Sequence, residues 1–380
     1  MRLTLALAIV LVPSWAAVIA ATAASLRFAR RGPAPPPRLL PPVSILKPLH
    51  GAEPGLYENL RSAAEQDYPV HQLVLGVADP QDGAVPVARA LIAELPERDI
   101  ALVVEPRRHG GNAKVSNLQN MLPAAKHDIL VIADSDIRVD RDYLAAIVAP
   151  LADPRVGLVT CLYRGVPSGG LWSELGALFI NFGFLPAALL AEALGTGGGC
   201  FGATIALPRS VLQRCGGFAR LRDALADDYR MGEAVRELGL AVVLSRHLVD
   251  TCVSEIRLID LWRRELRWAR TMRSLAPRGY AGSILMHPVA LALCAAAAGR
   301  FALTACAFVV ISCGLRWAAA RLVAAALDLR TAKLWLLPVR DLLSFAVFLA
   351  SFCGRGVVWR DQAFRVEASG RLKVDGDKVR

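Results

Sequence analysis

The sequence predicts an α/β domain built on a mostly parallel sheet, with membrane-spanning helices before and after it. Three observations carry that expectation. From residue 43 onward, short apolar runs of strand length alternate with stretches of helical periodicity, the pattern of a parallel sheet covered by helices on both faces. Long, nearly uncharged segments stand towards the two ends. The composition agrees: 54% of the 380 residues are hydrophobic and the mean hydropathy is +0.41, too apolar for a wholly soluble protein.

Residues 3–26 (LTLALAIVLVPSWAAVIAATAASL) exceed the roughly 20 residues that cross a bilayer. A cleaved signal peptide competes with this reading, because Ala21-Thr22-Ala23 resembles a processing site. The apolar run is longer than the ~7–15 residues of a signal core, and only Arg2 precedes it, so an uncleaved anchor over residues 1–28 is expected. The heavier positive flank (Arg27, Arg30, Arg31, Arg38) follows the span and places the middle of the chain in the cytoplasm. Residues 29–42 form a linker whose GPAPPPRLLPP stretch can be neither helical nor sheet-paired.

The folded domain is expected over residues 43–257. Strands are predicted at Val43–Leu46, Gln72–Val77, Ala101–Val104 and Ile129–Ala133, with helices near 56–65, 85–95 and 115–122. A further strand is predicted at Ala203–Leu207 and a helix at Asp227–Leu238. In parallel sheets ligands bind beyond the carboxyl ends of the strands. Those ends read Lys47-Pro48, Ala78-Asp79-Pro80, Glu105 and Asp134-Ser135-Asp136, so polar residues converge on one edge. Residues 258–274 (LIDLWRRELRWARTMRS), within a segment 258–282, read as a basic amphipathic helix at the membrane interface. A membrane region follows over 283–355, with apolar stretches at about 284–315 and 334–353 interrupted by Arg300, Arg316 and Arg321; Arg300 either ends a helix or faces a partner inside a bundle. Residues 356–380 form a tail.

The net charge of +11 comes mostly from Arg, gathered beside apolar stretches. That placement favours an anionic membrane surface and a phosphorylated substrate; no nucleic-acid-binding signature is present. The eight cysteines form no CxxC pair and no zinc-ligand spacing, and several lie in apolar runs, which argues for a reducing compartment.

Asp134-Ser135-Asp136 closes the apolar run Ile129–Ala133. A carboxylate pair at a strand's open end fits Mg²⁺ or Mn²⁺, which take oxygen ligands and bridge phosphates; an isolated DxD is more often a polar turn. Asp79 fits a nucleoside-binding carboxylate or a turn residue before Pro80. Asp227-Asp228 opens a helix, either as an N-terminal charge pair or as a general base whose pKa its neighbour raises. Arg264-x-x-Arg267-Trp268 places two guanidinium groups on one helical face, fitting phosphate oxygens, with Trp268 available to stack; a plain membrane-surface helix is the competing reading. Lys114 fits a donor phosphate or solvent. His50 and His109 read as structural. The Gly195–Gly202 run lacks the Lys-Ser/Thr of a phosphate loop and reads as a turn where backbone approaches substrate or chain.

In order, Asp79, Asp134-Ser135-Asp136, Asp228 and Arg264-x-x-Arg267-Trp268 resemble the D, DxD, D, (Q/R)xxRW set of family 2-like glycosyltransferases with the GT-A (nucleotide-diphospho-sugar transferase, Rossmann-like) fold. Val43–Leu49, Lys114–Leu118 and Ala133–Ile137 are closer to the ceramide glucosyltransferase family (family 21). Within it, His109–Asn112, Gly157–Gly165, Arg267–Thr271 and Gly279–Ser283 resemble the hopanoid-biosynthesis branch. The likeness covers about residues 40–300. It implies an inverting, metal-dependent transfer of N-acetylglucosamine from UDP-N-acetylglucosamine to the hopanoid bacteriohopanetetrol, in a multi-pass protein of the bacterial inner membrane. Asp79, Lys114 and Asp134 would then hold the donor nucleotide, Asp134 and Asp136 the metal, and Asp228 would be the base. Arg264, Arg267 and Trp268 would engage diphosphate and acceptor. The acidic pair is Asp227-Asp228 where the family pattern has Glu-Asp, which leaves either as the base, with Asp228 preferred. A ceramide or other lipid glucosyltransferase using UDP-glucose needs the same donor site. A noncatalytic lipid-binding membrane protein would be expected to lack one of these carboxylates.

Overall fold

The computed structural model describes residues 2–32, 40–196, 199–329, 333–354, 356–359, 362–366 and 372–374. Arg38 with most of the Pro-rich stretch, Gly197-Gly198 of the glycine run, and most of the tail lie outside the described residues.

The apolar runs become strands where expected. β1 (Val43–Pro48), β2 (His71–Val77), β3 (Ile100–Val104) and β4 (Ile129–Ile132) lie in parallel in the order β3-β2-β1-β4. Helices Leu56–Ala64, Ala84–Glu94 and Ala113–Met121 make the crossovers. All six residues of β1 are buried, as a central strand covered on both faces requires. The third helix starts two residues earlier than expected because Asn112 caps it, its Oδ1 accepting from Val115 N at 3.0 Å.

The chain continues through β5 (Ile137–Arg138), β6 (Val156–Thr160), β7 (Tyr163–Pro167), β8 (Ile205–Pro208), β9 (Ala241–Leu244) and β10 (Val249–Val253). The main sheet has seven strands in the order β3-β2-β1-β4-β8-β6-β9, and it is mixed. β8 runs antiparallel to both neighbours, because its first residue, Ile205, pairs with the last residue of β4, Ile132. The loop before β8 is thereby delivered to the edge where β4 ends. A small sheet, β5-β10-β7, caps that edge.

Four helices are long and apolar enough to cross a membrane among the described residues: Leu11–Ala29, Leu171–Ala193, Leu303–Leu327 and Leu334–Ser351. A bent pair, Pro277–Met286 and Pro288–Ala298, makes a fifth if it counts as one span. Large apolar side chains stand exposed on these helices, including Ile19, Leu303, Val310 and Trp335. Arg300 ends a helix, adopting φ 50° between Pro288–Ala298 and Leu303–Leu327. Arg316 lies inside the next helix and faces a partner, Asp341, through two 2.8 Å hydrogen bonds.

The Leu171–Ala193 helix departs from the expectation of a soluble stretch between the membrane regions. Its sequence is apolar all round, the mark of a buried or membrane helix. A π-helical turn at Ile180–Phe184 precedes Pro186, which has no N–H to offer the Phe182 carbonyl four residues back. Arg316 Nη1 donates to that carbonyl at 3.2 Å, supplying the bond an apolar setting demands. Asn181 locks the helix to β7: its Oδ1 accepts from Gly165 N at 2.8 Å and its Nδ2 donates to Gly165 O at 3.0 Å.

Candidate active site

The carboxyl edge of the sheet gathers the acidic residues. Directly after β4, the Asp134 and Ile137 carbonyls accept from Lys47 Nζ at 2.8 and 2.9 Å, so a buried ammonium at the end of β1 pins both ends of the Asp134–Asp136 turn. Burial pulls the Lys47 ammonium down to about 8 against the opposing pull of Asp136 and Asp134. Asp136 Oδ2 accepts from Thr251 Oγ1 of β10 at 2.7 Å. Partial burial and then repulsion from Asp134 raise the Asp136 carboxyl above its ordinary range.

Lys114, in the first turn of the Asn112-capped helix, reaches Asp134 Oδ1 at 2.6 Å and Asp227 Oδ2 at 3.5 Å. Burial disfavours its charge, but the Asp134 and Asp227 carboxylates outweigh that and raise its pKa. Asp227 and Asp228 begin the helix Asp227–Glu237. Asp228 Oδ2 accepts from Gly202 N at 2.9 Å and Oδ1 from Tyr229 N at 2.8 Å. Burial, then the adjacent Asp227 charge, push Asp228 up to about 6, with Lys114 opposing.

Gly202 stands at the centre. A Cβ there would lie 3.3 Å from Asp228 Oδ2, 3.4 Å from Asp134 Oδ2 and 3.4 Å from Lys114 Nζ. One Cα therefore has three charged groups closed around it, from β4, the Lys114 helix and the Asp228 helix. Thr160 holds the loop there, accepting from Phe201 N at 2.8 Å and donating to Thr204 O at 2.9 Å.

The (Q/R)xxRW elements approach from the amphipathic helix Leu258–Leu275. Arg264 pairs with Glu255 at 2.5 Å, and its guanidinium lies 5.1 Å from the Trp268 ring. Gly176 makes room for it, since a Cβ there would be 2.7 Å from Arg264 Nη2. Trp268 stacks on Phe179 at 6.3 Å and packs in the cluster that contains Tyr163. Burial, then the charges of Asp228 and Asp136, raise the Tyr163 phenol. This ring thus packs with Trp268 within electrostatic reach of the acidic cluster. Arg267 is half-buried on the same helix.

Asp79 shares the strand-end edge but stays exposed. Its Oδ1 accepts from Gln81 N at 2.8 Å, an Asx turn ahead of the next helix, and no hydrogen bond or ion pair joins it to Asp134 or Asp228 among the described residues. His109 is paired with Asn120 Oδ1 at 2.7 Å, and His50 faces Asp82 at 3.5 Å.

Asp134 and Asp136 stand in one short turn after β4 and offer only hard oxygen donors, the kind a divalent cation takes. Among the described residues no cluster of three or more His, Cys, Asp or Glu encloses a metal by itself. An ion of the Mg²⁺ type is typically held by one or two carboxylates and completed by substrate phosphates.

Residues 6–372 match the family described as Glycosyl transferase family 21. The chain belongs to that family. Ceramide glucosyltransferase 1 of Caenorhabditis elegans is 25% identical over 243 residues, 64% of this chain and 52% of the relative. The ceramide glucosyltransferase of Komagataella phaffii is 35% identical over 117 residues, 30% of this chain and 23% of the relative. The chain thus spans about half the length, or less, of the curated relatives it matches. Among solved structures, a mannosyltransferase of Pyrobaculum calidifontis in complex with GDP-Man and Mn²⁺ superposes with a TM-score of 0.52 at 22% identity, covering 92% of this chain and 98% of that one. The fold is that of GT-A nucleotide-sugar transferases, here with apolar helices at both ends and within the catalytic stretch. The hopanoid branch of the resemblance draws no support from these relatives, which are ceramide glucosyltransferases.

Four residues that shape this candidate site carry weak sequence signals. Lys47 is one charge in an otherwise apolar strand, Gly202 ends a glycine-rich run, and Thr251 and Tyr163 read as ordinary strand residues.

Proposed function

We propose that this chain is a membrane-bound, inverting glycosyltransferase that moves a sugar from a nucleotide diphosphate to a lipid hydroxyl. The observation that carries it is the closing of Asp134, Lys114 and Asp228 around Gly202, beside Asp136 and next to a bundle of apolar helices. Asp228 takes the proton from the acceptor hydroxyl as that oxygen bonds to the anomeric carbon and the sugar–diphosphate bond breaks. A pKa of about 6 leaves it ionised near neutrality while keeping it a better base than an ordinary Asp. Asp134 and Asp136 would hold a divalent cation, Mg²⁺ or Mn²⁺, whose charge stabilises the departing diphosphate. Lys114 orients Asp134 and adds positive charge on the donor side. Asp79, at the open edge, fits the nucleoside. Arg264, Arg267 and Trp268 approach from the interfacial helix, where diphosphate and lipid headgroup meet. The Arg27, Arg30 and Arg31 flank supports a catalytic domain on the cytoplasmic face of its membrane, and a bacterial inner membrane rests on the hopanoid resemblance alone.

For donor and acceptor, the names of the relatives favour glucose and a ceramide-type lipid, which with a nucleotide-sugar site makes UDP-glucose the donor to test. Transfer of N-acetylglucosamine to bacteriohopanetetrol rests on the shorter sequence likenesses alone. Membranes holding the protein, incubated with UDP-glucose or UDP-N-acetylglucosamine and with ceramide or a hopanoid polyol, separate the readings by mass spectrometry of the lipid. A hexosylceramide is the expected product. A glycosylated hopanoid without hexosylceramide would reverse the assignment, and no glycolipid from any combination would remove lipid transfer.

A further inference from the structure

The helix Leu337–Ser351 carries two adjacent charged residues that face different partners. Asp341 pairs with Arg316 of the Leu303–Leu327 helix. Arg340 is 1% exposed, and its Nη1 and Nη2 donate to Glu265 Oε1 and Oε2, each at 2.8 Å. Nη1 also donates to the Leu175 carbonyl at 3.3 Å and Nε to Ser344 Oγ at 3.1 Å. The guanidinium carbon sits 5.4 Å from the centre of the Phe179 ring, the ring that stacks on Trp268. Glu265 is 2% exposed, one residue after Arg264 and three before Trp268. Arg340 therefore grips the interfacial helix directly through Glu265, and it also touches Phe179 of the Leu171–Ala193 helix, the ring on which Trp268 stacks.

A bidentate Arg–carboxylate pair fixes direction as well as distance. Replacing a buried pair by well-packed apolar residues is often neutral or stabilising, so net stability is a weak reason for burying this one. The helix it grips needs a fixed direction. It is amphipathic, with Arg at 263, 264, 267, 270 and 273, and successive residues are about 100° apart around the axis. A modest rotation would carry Arg264 off Glu255 and Trp268 off Phe179.

We propose that Arg340 is a positioning residue: by clamping Glu265 it sets the rotation of the interfacial helix and so aims Arg264 and Trp268 at the diphosphate and acceptor. This rests on the roles proposed above for those two residues. The Leu175 carbonyl ties the same clamp to the Leu171–Ala193 helix, so that the membrane helices hold the catalytic motif in register with the GT-A domain.

Two variants test the clamp. Glu265→Gln keeps shape and one acceptor, and the double variant Arg340→Met with Glu265→Leu removes both charges while keeping apolar packing. Each is purified to a single monodisperse species in detergent, and transfer is measured per folded molecule together with inhibition by UDP. A misplacement of about 1 Å costs up to ~10²-fold in rate, so kcat/KM is expected to fall by about 10–10²-fold. UDP inhibition should weaken in parallel, while the acid limb of the pH profile stays in place. Folded variants with unchanged kcat/KM and UDP inhibition would overturn the proposal. If Glu265→Gln does not fold, the double variant decides, and failure of both to fold assigns the pair to stability and overturns positioning. Arg264→Lys is run beside them. Its loss of activity with a normal Glu265→Gln rejects the clamp alone, whereas full activity in Arg264→Lys rejects the Arg264 role beneath it.

Discussion

Replacing Asp228 by Asn exchanges one oxygen for an amide nitrogen, and the structure says what each consequence weighs. Both carboxylate oxygens accept backbone N–H groups, from Gly202 and Tyr229. An amide satisfies only one of them and turns a second donor against the other, costing about 1–3 kcal/mol. Losing the repulsion from Asp227 offsets part of that, so Asp228→Asn is expected to fold. Transfer should suffer far more. Removing a general base costs typically 10²–10⁴ in rate, about 2.7–5.5 kcal/mol of barrier. The same group sets the pH dependence. The reactive form is the carboxylate and its pKa lies at about 6, so activity is present above that pH and lost as pH falls through it, to about a tenth of its plateau at pH 5. Asp227→Asn removes the adjacent charge that helps to raise it, and should move the acid limb to lower pH. The assay is the pH–rate profile of sugar transfer to lipid in membranes at fixed metal concentration. A folded Asp228→Asn retaining more than a tenth of wild-type activity, or showing the same acid limb, would refute the base assignment.

Further outcomes follow from the Asp136 carboxylate and from the buried Arg316–Asp341 pair. Asp136→Ala removes one of the two paired carboxylates and strands Thr251; it should abolish transfer while the protein still resists alkaline extraction from membranes, and a chelator should silence the wild type until Mg²⁺ or Mn²⁺ is restored. Transfer that survives chelation would remove the metal from the proposal. Arg316→Ala leaves Asp341 and the Phe182 carbonyl without their partner, a loss of about 3–5 kcal/mol visible in thermal melting by size-exclusion chromatography, and Arg316→Met with Asp341→Leu should recover most of it. Equal melting of Arg316→Ala and wild type would mean the pair is not holding the bundle.

Much of the fold was legible because local physics decided it. β1 to β4 coincide with apolar runs that stop at polar residues, and the stops mark the strand ends where Asp79 and Asp134-Ser135-Asp136 stand. The amphipathic helix from Leu258 was also a local matter, whereas Arg300 left two readings open until its φ of 50° placed it between two helices. The Leu171–Ala193 helix was missed although it is apolar all round, because Glu174, Asn181 and Pro186 interrupt it and its flanking strands suggested an unbroken soluble domain. Those three residues are satisfied only by distant partners: Lys333 at 2.9 Å for Glu174, Gly165 for Asn181, and Arg316 for the carbonyl that Pro186 leaves open.

The sequence by itself determined the strand–helix alternation, the apolar helices at the two ends, the order of the acidic and Arg–Trp motifs, and with them the family. The tertiary structure alone decided that Lys114 meets Asp134 and Asp227, that Gly202 lies against Asp228, and that Lys47 pins the Asp134–Asp136 turn. It also decided that Arg340 holds Glu265. Periodicity reports which face of an element is apolar, but these contacts depend on strand order, on the reversed direction of β8 and on how the membrane helices pack. Residues 20 to 113 positions apart meet only once the sheet and the helices around it are assembled, and a buried charge finds its partner only there.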